Sequence, residues 1–231
     1  MEAFSNVFAY MAGFPAIVGL FLTALIIFLA TDWRLSLAAL LVQYVLVGLT
    51  LTRTIQSEVV VVKILVGVLA VLILYLTAQR VQGTRESEGV AESGRRSPGV
   101  SQGWDAGPLG LPLRLLAVLL VVLALTRWFS QGSQPLVSTD VAFAAVWLAS
   151  MGMLGLILGG GPLRVAPALL SILSGSDLVY SGLELSLAVV GSYGALTLLT
   201  ALALAYTAVA QVLGVSAGRP DEKADEEAIE P

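Results

Sequence analysis

Three ionisable side chains, Lys63, Asp177 and Glu184, lie inside otherwise apolar stretches of the chain. A charge within a membrane-length apolar run costs on the order of 3 kcal/mol on insertion scales. Such residues therefore face a bundle interior or a hydrated path, or reach the interface along a flexible stem. Lys63 sits about one turn inside its apolar run. Its amine has two outlets: the lipid headgroups, or an acid on another helix. Asp177 and Glu184 are seven residues apart, which places them near one face if their helix is continuous. Acids so placed serve proton relays. Glu184 equally suits a position at the outer interface, and Asp177 suits a structural hydrogen bond to the neighbouring Ser174-Gly175-Ser176.

The element that carries Lys63 is Val59–Arg80, VVVVKILVGVLAVLILYLTAQR, close to the roughly 20 residues a helix needs to cross a bilayer. The chain as a whole has 231 residues, 57% apolar and 12% charged, against about 25% charged in soluble domains. Its apolar residues come in long runs, which defines an all-α integral membrane protein. The chain contains no cysteine and no histidine. That removes disulfides, thiolate chemistry and the usual side-chain ligands of haem, iron–sulfur clusters and most zinc sites. No catalytic centre, metal site or resident cofactor is expected, and no basic patch suits a nucleic acid. Gly159-Gly160-Gly161 lacks the spacing and the Lys-Ser/Thr of a phosphate loop and reads as a turn between helices.

In order, the apolar runs predict seven transmembrane spans: about 13–30, 35–52, 59–80, 111–129, 141–158, 163–183 and 185–213. Residues 1–80 form a three-helix half and 110–215 a four-helix half. Between them, 81–109 is rich in Gly, Ser, Glu and Arg and predicts a flexible charged linker. The segment 216–231 holds two basic and six acidic residues and predicts a disordered tail. The N-terminus has no basic region or cleavage pattern, so the first span reads as retained. Ser174-Gly175-Ser176 could break the sixth span. The small residues Gly191, Ser192, Gly194 and Ala195 predict close helix packing in the seventh.

The positive-inside rule orients this count. With the N-terminus outside a cell inner membrane and the C-terminus in the cytoplasm, nine basic residues (Arg34, Arg80, Arg85, Arg95, Arg96, Arg114, Arg164, Arg219 and Lys223) fall inside and two, Arg53 and Arg127, outside.

The stretch Trp33-Arg34-Leu35-Ser36…Gln43, followed by Val62-Lys63-Ile64-Leu65-Val66…Tyr75…Ala78-Gln79-Arg80, resembles membrane component E of hydrogenase-4. Gly155-Leu156-Ile157-Leu158…Leu163-Arg164 resembles the interhelical turn of that family's second half, itself similar to the small three-helix subunit of respiratory complex I. The family carries a glutamate at the position of Leu173; this chain does not, and its nearest acid is Asp177, one turn further on. The resemblance implies a non-catalytic membrane-arm subunit of a hydrogenase-like or complex-I-like oxidoreductase, beside antiporter-like subunits in the lipid bilayer. Lys63 would then belong to a proton or sodium path with Asp177 or Glu184, and Arg34 and Arg164 would be structural or interface residues, Arg164 capping a helix end. Two readings stand beside it: a stand-alone solute or ion transporter, and a membrane scaffold subunit without an ion path.

Overall fold

The structure, a computed structural model, describes residues 14–30, 32–52, 57–91, 110–131, 138–158, 162–183 and 187–217. These fold into seven helices with no strand among them: α1 Phe14–Leu29, α2 Trp33–Leu51, α3 Ser57–Ala91, α4 Gly110–Ser130, α5 Thr139–Leu158, α6 Pro162–Leu183 and α7 Leu187–Ala217. Six of them, α2 to α7, are long and apolar enough to cross a membrane, whereas α1, at 16 residues, is shorter. An apolar helix is the natural outcome here, because a bilayer has no water to satisfy backbone groups and a helix satisfies them within one segment.

Three expectations change. The helix carrying Lys63 does not stop at Arg80 but continues to Ala91. Gln82, Arg85, Glu86, Glu88 and Ala91 are good helix formers and extend the existing turns although the apolar run has ended. The expected linker is thus helical over 81–91, and 92–109 falls outside the described residues. The second change concerns Ser174-Gly175-Ser176, which does not break α6. Ser174 and Ser176 donate to the carbonyls of Leu170 and Ile172 one turn back, and the helix runs through both them and Pro167. α7 likewise runs on to Ala217, two residues into the expected tail, and 218–231, the Gly159–Gly161 turn and Glu184 lie outside the described residues.

The stretches before and after the linker interleave. α1 packs on α5, α2 on α6 and α3 on α7, alongside the sequential contacts α1–α2, α2–α3, α5–α6 and α6–α7. α2 and α6 occupy the centre of this arrangement. α4 touches α5 and stays peripheral. Lipid tails are as apolar as leucine, so helices in a membrane associate through close fit rather than through release of water. The α5–α6 pair shows this: a Cβ on Gly152 would come within 2.6 Å of the Ala168 carbonyl, and one on Gly175 within 2.6 Å of the Ala145 carbonyl.

Candidate functional site

Lys63 lies in the second turn of α3, about 9 Å along the axis from Ser57 at 1.5 Å per residue. Asp177 lies about as far from the other end of α6, at Leu183. Because α3 and α6 run in opposite directions, both residues reach the same level of the bundle. The Lys63 ammonium stands 2.7 Å from Asp177 Oδ1, with side-chain exposures of 10% and 17%. It also donates to the Ser181 hydroxyl, which in turn lies 3.3 Å from the same carboxylate oxygen. The stem of Lys63 therefore runs inward to the acid and not outward to the headgroups. Asp177 bonds Lys63 and Ser181 and not the Ser-Gly-Ser stretch. α3 and α6 otherwise barely touch, so this charged contact is their main link.

The pair opens on a cavity of about 570 Å³ bounded by α2, α3, α6 and α7. Its polar lining comes from Tyr44, Glu58, Lys63, Asp177, Tyr193 and Thr197, set among valines and small residues. Glu58, Val62 and Gly191 line it and are themselves exposed, so it opens at the end of the bundle where α3 and α7 begin. The cavity reaches from Val190 to Thr197 of α7, a depth of about 10 Å. Of the small residues expected to pack α7, Gly194 faces Val66, which a Cβ added there would meet at 3.6 Å, an ordinary contact distance. A Cβ on Gly191 would meet nothing within 4 Å, so that glycine widens the cavity and fits no partner.

Deeper in, α2 and α6 present further polar groups. Gln43 and Ser171 are almost completely buried. The Gln43 amide donates to Ser171 Oγ at 3.3 Å, and Ser171 Oγ lies 3.5 Å from Gln43 Oε1. The Tyr44 ring rests on Gly67, where any Cβ would collide with it. Its hydroxyl is buried. Ser174 and Thr197 flank that hydroxyl; each donates to its own helix, at the carbonyls of Leu170 and Tyr193, which leaves its oxygen able to accept from Tyr44.

Sequence reasoning named Lys63 and Asp177, and the fold brings them into contact. Glu184 is not among the described residues. Arg34 is exposed, its guanidinium 5.4 Å from the Trp33 ring centroid. Arg164 is partly buried near the start of α6 and lines a second cavity, of about 40 Å³, with Asp32, Ser36, Arg114 and Ser171. Gln43 entered the sequence reading only through a family resemblance, and Tyr44 and Ser171 not at all. A signal was present: Ser171, Ser174, Asp177 and Ser181 follow spacings of three, three and four, a single stripe on a helix. Among the described residues, no group of acids is arranged to hold a metal ion. Comparison with protein-family models, with curated proteins and with solved structures finds no match for this chain.

Proposed function

We propose that this chain is a non-catalytic membrane-arm subunit of a hydrogenase-like or complex-I-like oxidoreductase, and that the Lys63–Asp177 pair takes part in coupled proton or sodium translocation. The observation that carries the reading is the ion pair itself. It lies inside the bundle, is reinforced by Ser181, and faces a cavity open at one end. A charge pair that served assembly alone would need no such access. A paired amine and carboxylate can exchange protons with water and respond to a neighbouring charge, which is what a coupling element requires. On this reading the N-terminus faces outward across a cell inner membrane, the cavity opens on the outer side, and antiporter-like subunits cover part of the lipid-facing surface.

The deciding experiment is purification of the tagged full chain from its native membrane in a gentle detergent, with identification of what accompanies it. Co-purification with antiporter-like membrane subunits and iron–sulfur proteins is the expected result. Lys63→Ala in that complex should then uncouple ion movement from electron transfer while the subunits stay together. Recovery of the chain alone as a monodisperse oligomer would remove the subunit reading. A specific observation favours a stand-alone transporter as the second reading. The helices α1, α2 and α3 pair one to one with α5, α6 and α7, and a cavity lies to one side of their centre, a layout that suits two related halves around a binding site.

A further inference from the structure

Two cavities enter the bundle from opposite ends. The larger opens where α3 and α7 begin and is lined by Lys63, Asp177 and Tyr44. The smaller lies where α2 and α6 begin and is lined by Asp32, Ser36, Arg164 and Ser171. One water needs about 10–15 Å³ of such space and several polar partners, so both cavities have room for water and polar groups to hold it. Between them stand Gln43 and Ser171, at 0% and 1% exposure. Ser171 lines the small cavity, and Tyr44, next to Gln43 on α2, lines the large one. Along α6 residues 171, 174, 177 and 181 rise by about 4.5–6 Å per step along the axis, and Ser181 Oγ lies 3.3 Å from the Asp177 carboxylate.

We infer that the two cavities are the aqueous halves of one polar route across the bundle, closed at its middle by the Gln43–Ser171 hydrogen bond. This inference rests on the reading of Lys63–Asp177 as an ion-handling pair and adds the route and its gate. The chemistry assigns different parts to the side chains. The hydroxyls of Tyr44, Ser171 and Ser174 both donate and accept, so a proton leaving the Asp177 carboxyl can pass along them and intervening water, each oxygen taking one proton and releasing another. A neutral amide does not relay protons in this way. Gln43 therefore acts as the plug: while it bonds Ser171 the halves are separate, and when its side chain swings away water joins them. Tyr44, the neighbour of this plug on α2, lines the large cavity, so a water admitted there can hydrogen-bond its hydroxyl.

The chain has no cysteine, so single cysteines report on each half without background. Gly191→Cys probes the large cavity, Ser36→Cys the small one, and Leu120→Cys, on the exposed face of α4, the lipid. The full chain is labelled in sealed, oriented membrane vesicles with a charged, membrane-impermeant methanethiosulfonate. Gly191→Cys should react only from the face where α3 and α7 begin, Ser36→Cys only from the opposite face, and Leu120→Cys from neither. Gln43→Gly should then let Ser36→Cys react from both faces. It should also speed the decay of an imposed pH gradient in vesicles of the purified chain by about tenfold, the effect of about 1.4 kcal/mol taken off the barrier. Gln43→Met, which keeps the bulk, should stay closed, and Ser171→Ala offers a second, milder opening. A Gly191→Cys as unreactive as Leu120→Cys would overturn the inference, because the large cavity would be filled by lipid. So would unchanged sidedness and leak in both Gln43→Gly and Ser171→Ala. These readouts belong to the chain itself. A sided labelling pattern in a chain that purifies alone would leave the route standing and remove the subunit reading, whereas unreactive cavity positions in a chain that brings its partners would do the reverse.

Discussion

The central α2–α6 pair carries a different seam on each side. On one side α1 and α5 meet through rings: Phe21 stacks on Trp147 at 4.7 Å and on Phe143 at 5.2 Å, and Phe129 meets Phe143 edge-on at 5.1 Å. Leu20, Leu148 and Met151 complete a tight apolar cluster there. On the other side α3 and α7 flank a cavity with an ion pair at its edge. Both seams join the same parts of the chain, an early helix to a late one. The first is filled over most of its length and leaves only the small cavity of about 40 Å³ at one end. The second leaves space beside its most costly group. In a membrane, close fit is the main source of helix association, so an unfilled seam forgoes stability and its contents must be held by specific bonds. On the proposed function, the α1–α5 seam carries stability and the α3–α7 seam carries chemistry.

The strongest challenge to that division is to remove one charge. Lys63→Ala leaves Asp177 buried without its partner, and breaking such a pair costs about 3–5 kcal/mol. The double variant Lys63→Met, Asp177→Leu removes both charges and should recover most of that loss, while ion coupling stays abolished. A double-mutant cycle by thermal unfolding in detergent, run beside a transport assay, reads both quantities. A double variant as unstable as the single would mean that the pair holds α3 to α6 and has no separate chemical part.

The matching test on the other seam is Trp147→Ala. Trp147 is 4% exposed and stacked on Phe21, and truncation of such a residue costs about 3–5 kcal/mol. The unfolding midpoint should fall as far as for Lys63→Ala, yet the folded fraction should keep normal ion coupling. A coupling defect at full folding would show that the two seams are not separable. Gly67→Ala lies between these cases. Its new Cβ collides with the Tyr44 ring, and overpacking of this kind costs about 1–3 kcal/mol. Because the ring that must move lines the cavity, coupling should fall more than stability does.

The parts of this division differed in how visible they were in the sequence. The helices were legible because apolar runs of bilayer length have few alternatives, and α4, α5 and α6 end within a residue or two of the expected positions. Lys63 and Asp177 stood out because charge is rare in such runs. Gln43, Tyr44 and Ser171 did not, because an amide or hydroxyl in an apolar helix is common and can bond its own backbone, as Thr50, Thr77 and Thr197 do here. What makes Gln43 and Ser171 matter is their meeting across 128 residues of chain, and helical periodicity carries no record of which helix faces which. The end of α3 was missed for the converse reason. Loss of hydrophobicity marks the end of an apolar run, but good helix formers carry the backbone onward to Ala91.

The smallest expected effect belongs to the outer face of α4, which takes part in neither seam, whereas Leu125 and Phe129 on its inner face join the first. Leu116, Leu119, Leu120 and Leu123 are each more than half exposed, and α4 packs mainly on α5. Leucine facing lipid contributes little to the fold, since its surroundings are equally apolar whether or not the bundle has formed. Replacement of Leu120 by alanine should shift the unfolding free energy of the isolated chain by no more than about 0.5 kcal/mol, and labelling at Gly191→Cys should be unchanged. A loss several times larger in the native membrane, absent from the purified chain, would mean that another helix covers α4 there. The stability-bearing part of the molecule would then extend beyond the α1–α5 seam to a surface that this chain does not supply by itself.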